Sequence, residues 1–265
     1  MLRSVVATRY VAPLREGGSL PALVEADDDG MYVVKLRGAG QGIKSLIAEV
    51  ITGEIGRGIG LPVPELVVAE IDPSLALGEP DTELQELLER SAGTNLGMDY
   101  LSGAVALGAP KLAGIAPELA ADIVWFDCLT INVDRTPRNP NLLKRHGQVL
   151  LIDHGASIYL HHGWLGGDTD AQGGSKAFPG IKEHVLLSIA GSIVSADERL
   201  APRLTDGVIA QAVSAVPDEW FERIPLAISV DRHRELYRDW FAARMAAPRQ
   251  WVAEAEQARQ GVQRD

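Results

Sequence analysis

The residues best suited to chemistry lie in one polar segment near the middle of the chain. Asp134 is followed closely by Asn139 and Asn141, and Asp153 comes after an apolar stretch that a His-Gly turn interrupts. An aspartate and an asparagine in one loop, with a second aspartate behind a hairpin, can converge on one point. Phosphoryl transfer from ATP needs such a convergence, because one carboxylate orients the attacking hydroxyl while an amide oxygen and another carboxylate hold Mg²⁺.

The N-terminal part contains further groups that would suit a nucleotide. Lys35 ends a predicted strand and could reach the α- and β-phosphates. A helix follows, with Glu49 and Glu54 available to pair with that lysine. A turn near the N-terminus could cover phosphates through its backbone N–H groups, and it consists of Gly17, Gly18 and Ser19.

Strands and one helix are predicted to position these N-terminal groups. Strands over 9–14, 20–25 and 31–36 form a small antiparallel meander, since Asp29-Gly30 is a strong turn signal. Apolar residues with helical spacing predict a helix over 43–59, which ends at a glycine followed by two prolines.

The rest of the chain changes in character near residue 101. A helix over 117–132 precedes the polar segment, a hairpin follows it, and residues 181–259 have helical character. A sheet-rich first part and a helical second part predict an α+β fold rather than alternating βαβ units.

Composition excludes several classes of protein. The 265 residues include 25 basic and 36 acidic side chains, which gives a net charge of −11 and little material for a nucleic-acid-binding face. Apolar runs fall short of the roughly 18–20 residues that a membrane span needs, and the N-terminus lacks the pattern of a secretory signal. The single cysteine, Cys128, allows no intrachain disulfide and favours a cytoplasmic location.

The motifs, in their order along the chain, resemble those of the HipA-like kinases and, more distantly, the phosphatidylinositol kinases. They are Val33-Val34-Lys35, Ala48-Glu49-Val50, Gly60-Leu61-Pro62-Val63-Pro64-Glu65, the Asn-Val-Asp-Arg…Asn-Pro-Asn-Leu-Leu loop, and Leu-Ile-Asp-His-Gly. This resemblance covers roughly residues 9–160 and implies a two-lobed, protein-kinase-like fold. The division would place a small antiparallel-sheet lobe at 1–101 and a mainly helical lobe at 102–265.

The resemblance also implies roles for individual residues. Asp134 matches the catalytic aspartate, Asp153 the metal-binding aspartate, and Lys35 the strand lysine. The stretch formed by Met98, Asp99, Tyr100 and Leu101 would be the hinge that meets adenine with backbone groups.

Two assignments stay open at this point. Family spacing favours Asn139 in the catalytic loop, whereas Asn141 precedes the next strand, whose register would fix its direction; we prefer Asn141 as the metal ligand. Matching the family favours Glu49 as the partner of Lys35, whereas helical geometry puts Glu54 in the apolar stripe and Glu49 nearly opposite.

The main hypothesis is a kinase that uses ATP and Mg²⁺ to phosphorylate a Ser or Thr hydroxyl of a protein. One alternative is a pseudokinase that binds nucleotide or a partner without turnover, and another is a kinase for a small molecule or lipid. The acceptor, the oligomeric state and any regulatory partner are left open.

Overall fold

The computed structural model describes residues 2–14, 21–39, 42–79, 81–164 and 177–264. It is an α+β fold in which a small β-barrel precedes a group of helices. The α+β prediction is confirmed, with sheet in the first part of the chain and helices in the second.

Five strands form the closed barrel, in the order β1-β2-β3-β5-β4. β1 and β4 run parallel, and the other neighbours are antiparallel. The bounds are Arg3–Pro13 for β1, Ala22–Ala26 for β2, Met31–Lys35 for β3, Leu66–Ile71 for β4 and Gly93–Asp99 for β5.

The closed barrel corrects the prediction of an antiparallel sheet whose first strand starts at Arg9. β1 starts at Arg3, and its first half pairs with β4 while its second half pairs with β2. Register shifts between Ala7 and Arg9 and between Tyr10 and Ala12 bend the strand from one partner toward the other. Because β1 and β4 are far apart in sequence, no local sequence pattern predicts their pairing.

The first helix, α1 (Gly42–Gly58), lies between the barrel and the later helices. It contacts β4, β5 and α5, and it is buried on almost every side. Its apolar side chains belong to the large core shared with the C-terminal helices. The barrel interior is a second core, which α2 (Thr82–Arg90) covers with Leu84, Leu87 and Leu88.

The polar segment is framed by α3 (Pro117–Thr130) and a small sheet. That sheet is formed by β6 (Val105–Ala106), β7 (Leu142–Arg145) and β8 (Gln148–Leu151), all antiparallel. The remaining helices are α4 (Ile193–Leu200), α5 (Asp206–Ser214), α6 (Asp218–Glu222), α7 (Val230–Met245) and α8 (Gln250–Val262). The predicted helical region over 181–259 ends in two helices, α7 and α8, which are separated by a segment that contains Pro248.

Within the described ranges, no helix is both long enough and apolar enough to cross a membrane.

Candidate active site

The ends of β3 and β8 and the middle of α1 meet at one polar centre. Lys35 Nζ lies 2.5 Å from Glu49 Oε2 and 2.6 Å from Asp153 Oδ1. Lys35 is the last residue of β3, Glu49 lies in α1, and Asp153 follows closely after β8. The fold thus brings Asp153 to two predicted site residues from which it is more than 100 residues distant in sequence.

Charge pairing affects the pKa values of Lys35 and Glu49 more strongly than burial does. Burial lowers the pKa of Lys35, but Glu49 and Asp153 raise it by more, so the net pKa lies above its ordinary value. Burial raises the pKa of Glu49, but Lys35 and His154 hold it well below its usual range. Both groups are therefore charged at neutral pH. Desolvation offsets much of the attraction in a buried ion pair, so this pair contributes little to the stability of the fold. Its presence therefore needs an explanation other than stability.

Glu54, the rival partner for Lys35, lies elsewhere. Its Oε1 is 3.4 Å from Arg57 Nε, beside a cleft shared with Val208 of α5. The prediction of Glu54 from helical geometry is wrong, because it assumes that only one side of α1 is buried. The face opposite the apolar stripe is also covered, and Glu49 is only 3% exposed.

The chain after Asp153 runs close against α1. Ser45 Oγ donates a hydrogen bond to the Gly155 carbonyl at 3.2 Å. A Cβ at residue 155 would collide with Ser45 Oγ and lie 3.4 Å from Glu49 Oε2. Only glycine therefore allows this close approach.

We expect Gly155→Ala to push α1 away from the Asp153 segment. The overpacking should lower the free energy of unfolding by about 1–3 kcal/mol. Urea unfolding measures this loss. Gly114→Ala is the control, because its Cβ would have no neighbour within 4 Å in the described structure. Wild-type values for Gly155→Ala would contradict the close contact.

Asp134 lies in the loop between α3 and β7 with one oxygen held by two amides. Its Oδ2 accepts hydrogen bonds from Asn139 Nδ2 at 2.6 Å and from Asn141 Nδ2 at 3.3 Å. Among the residues that the structure describes, none donates to Oδ1. Burial and the negative charge of Asp153 raise the pKa of Asp134 by more than the asparagines lower it. This carboxylate has a free oxygen and an increased basicity, as a proton acceptor requires.

The β7–β8 hairpin brings Asn141 next to the Asp153 segment. Leu142 pairs with Leu151, and the Ile152 N–H donates to the Asn141 carbonyl at 3.1 Å. Asn141 and Asp153 have left-handed backbone conformations, with φ of 50° and 57°. Asparagine and aspartate adopt this region more readily than other non-glycine residues.

A buried cluster lies below the loop, and the sequence did not indicate that Asp127 and His184 are members of it. Asp127 of α3 accepts from Arg135 Nε at 2.5 Å and from Asn132 Nδ2 at 3.0 Å. His184 Nε2 lies 2.9 Å from Asp127 Oδ2 and donates to it, because His184 Nδ1 accepts from the Leu186 N–H. Burial raises the pKa of Asp127, but Arg135 and His184 bring it down to about 2.

This cluster fixes the loop from beneath. Arg135 directly follows Asp134, and its Nη1 donates to the Asn141 carbonyl at 2.6 Å. One guanidinium therefore ties α3 to both ends of the loop. The available sequence signal was a carboxylate inside an otherwise apolar helix segment, since a buried carboxylate needs a partner.

A cavity of about 570 Å³ adjoins the Lys35 centre. Lys35, Glu49 and Asp153 lie in its polar wall, and the remainder is mostly apolar. Apolar side chains from both parts of the fold line it, including Val33, Leu66, Leu96, Leu143 and Ile152.

The predicted hinge lies along this cavity. Met98, Tyr100 and Leu101 line it, whereas Asp99 is not among the lining residues. The Tyr100 N–H is bonded to the Met31 carbonyl at 2.9 Å. In the described structure, no acceptor is bonded to the Leu101 N–H.

The predicted glycine turn of Gly17, Gly18 and Ser19 lies outside the described residues. Leu14 and Pro21, on either side of it, line the cavity, and the Leu14 N–H donates to the Pro21 carbonyl at 2.7 Å.

Comparison with known proteins identifies the group to which the chain belongs. The model of the HipA-like kinase family matches residues 8–238. The chain is a member of the HipA-like kinases. The match runs from the barrel into α7, so the resemblance seen in the sequence motifs is confirmed, and this HipA-like kinase is a phosphotransferase by family. No curated protein matches the chain.

Two solved kinase structures match the chain at low sequence identity. The Helicobacter pylori proinflammatory kinase CtkA matches with a TM-score of 0.57 and 12% identity over 97% of this chain and 99% of that chain. The golgi casein kinase matches with a TM-score of 0.46 and 11% identity over 98% of this chain and 73% of that chain. The first similarity shows a shared kinase fold.

Proposed function

We propose that this HipA-like kinase transfers the γ-phosphoryl group of ATP to a Ser or Thr hydroxyl of a protein, with Mg²⁺ as the metal. The observation that carries the proposal is the Lys35 ammonium, which is held between Glu49 and Asp153 at the wall of a largely apolar cavity. An apolar cavity suits an adenine ring, and a cation at its polar end suits phosphates.

The hinge offers backbone groups to adenine. We assign the Leu101 N–H to the adenine edge, since Leu101 lines the cavity and the preceding Tyr100 N–H is already bonded to the Met31 carbonyl. The turn at 17–19 is assigned to the phosphates, and residues 1–101 and 102–265 to the two lobes of the kinase.

The donor set near Asp153 fits Mg²⁺. Asp153 and Asn141 offer a carboxylate and an amide oxygen, the hard ligands that Mg²⁺ prefers. Asp153 raises the pKa of Asp134 through its charge, so a cation beside Asp153 would relieve a repulsion that is present in the structure. Mg²⁺, when bound, would neutralise charge on the phosphates. We favour Asn141 over Asn139 as the second ligand because the hairpin places it beside Ile152.

In the transfer step, Asp134 holds the acceptor hydroxyl through Oδ1. The hydroxyl oxygen bonds to the γ-phosphorus, the bond from that phosphorus to the β–γ bridging oxygen breaks, and ADP leaves. The hydroxyl proton passes to the Asp134 carboxylate. Lys35 positions the α- and β-phosphates, and Glu49 positions Lys35.

The net charge favours a protein acceptor over an anionic lipid or a nucleic acid. The net charge of −11 disfavours an anionic lipid surface as the place of action, and nucleic acid is disfavoured for the same reason. We therefore assign a protein acceptor, in the cytoplasm, where the single cysteine Cys128 would stay reduced.

The first test is thermal stability with and without Mg·ATP for the wild type and for Asp153→Ala. A ligand that binds only the folded state stabilises it by about 2.7 kcal/mol at a hundredfold excess over its Kd. We expect a Mg²⁺-dependent increase in melting temperature for the wild type and its loss in Asp153→Ala. No shift with any nucleotide would contradict the proposal and favour a partner-binding pseudokinase.

Labelled ATP then identifies the acceptor chemistry. Phosphate transferred to a generic Ser- and Thr-containing protein should be stable in acid and labile in alkali. Transfer to lipid or small molecules, with none to protein, would favour the alternative kinase class.

A further inference from the structure

His154 lies between Asp153 and Gly155 and faces the second oxygen of Glu49. It is 1% exposed, and its Nδ1 lies 3.5 Å from Glu49 Oε1. Lys35 Nζ is 2.5 Å from the other oxygen, Oε2. Each carboxylate oxygen thus has its own partner, and the plane of the carboxylate is determined by both.

We propose that His154 is a positioning residue, whose Nδ1–H holds Glu49 Oε1 so that Oε2 faces Lys35. The inference rests on the proposed function, because the position of Lys35 matters only if Lys35 holds the phosphates of ATP. His154 contacts no reacting atom in this scheme and acts through Glu49.

The environment of the other ring nitrogen supports this proton position. His154 Nε2 is buried and has no hydrogen-bond partner in the described structure. A neutral imidazole has one N–H, and an unpaired buried donor is costly. A proton on Nδ1 places that N–H toward a carboxylate and leaves Nε2 as the bare nitrogen.

Packing alone is a poor reason for histidine at this position. The ring lies edge-on to Phe126, with centroids 6.0 Å apart, in surroundings that an apolar side chain would fill without an unsatisfied nitrogen. A buried polar atom without a partner destabilises the fold. The polar contact at Nδ1 therefore supplies the reason for this residue type.

Neighbouring contacts hold the same face of α1 against this segment. Ser45, one helical turn before Glu49, donates to the Gly155 carbonyl at 3.2 Å. Lys44 Nζ donates to the His161 carbonyl at 2.6 Å. Residues 153–161 are thus linked to α1 at several points, and His154 is the link that reaches Glu49.

The test compares substitutions that keep or remove the Nδ1 donor. The amide nitrogen of asparagine lies near the position of Nδ1, so His154→Asn retains a donor to Glu49, whereas His154→Leu retains only bulk. We measure kcat and KM for Mg·ATP by phosphate release, and thermal melting checks folding. The exposed His162 provides the control His162→Leu.

We expect His154→Leu to lower kcat/KM about tenfold, the effect of losing one hydrogen bond to a charged group. His154→Asn should recover activity to within about threefold of the wild type. In a protein that already carries Glu49→Gln, His154→Leu should lower kcat/KM by less than about a further twofold, because His154 acts through the Glu49 carboxylate.

The proposal would be overturned if His154→Leu and His154→Asn lower kcat/KM equally. It would also be overturned if the fold-loss in the double variant equals the product of the fold-losses in His154→Leu and Glu49→Gln. If Lys35→Met retains wild-type activity, the proposed function itself fails, and the inference fails with it. Wild-type activity in His154→Leu beside an inactive Lys35→Met would overturn the inference alone.

Discussion

Replacing Asp134 with asparagine is expected to lower kcat by about 10²–10⁴-fold. The free Oδ1 of Asp134 is the group assigned to the acceptor hydroxyl, and an amide in its place cannot accept the proton. The Kd for Mg·ATP should change by less than about threefold, since Asp134 is not among the residues that line the cavity. Single-turnover transfer and titration calorimetry measure the two quantities.

Asp29→Asn is the matched control for this prediction. Asp29 is an exposed residue of the β2–β3 turn with φ of 61°, a conformation that asparagine also adopts. This variant should retain wild-type kcat and Kd. An Asp134→Asn protein that keeps more than a third of the wild-type kcat would show that another group accepts the proton.

Replacing Asp127 with alanine is expected to lower the free energy of unfolding by about 3–5 kcal/mol. The change leaves the Arg135 guanidinium, which is 1% exposed, without its carboxylate. His184 and Asn132 lose the same partner. Urea unfolding followed by circular dichroism measures the loss.

Two further variants separate this mechanism from a general loss of packing. Asp218→Ala removes an exposed partner of Arg234 and should cost less than about 1 kcal/mol. The double change Asp127→Leu with Arg135→Met removes both charges and should unfold at higher urea than Asp127→Ala. A double variant less stable than the single one would show that the uncompensated charge is not the cause.

Local sequence patterns indicated much of the candidate site because its members lie at the ends of regular elements. Lys35 at the end of a strand, the helix after it, and a polar loop followed by a hairpin were all readable from periodicity and turn residues. The choice between Glu49 and Glu54 was not readable in this way, because a helical wheel describes a helix with one buried side and α1 has nearly all sides covered.

By itself, the sequence determined the α+β class through short-range spacing and residue type, and the kinase family through the resemblance of its motifs. The tertiary structure decided which groups meet. Parallel pairing of β1 with β4 closes the barrel, and His154 faces Glu49. Asp127 binds both Arg135 and His184, the latter 57 residues from it in sequence. These contacts depend on how helices and strands pack against one another. The local sequence around each residue does not indicate which distant residue it will contact.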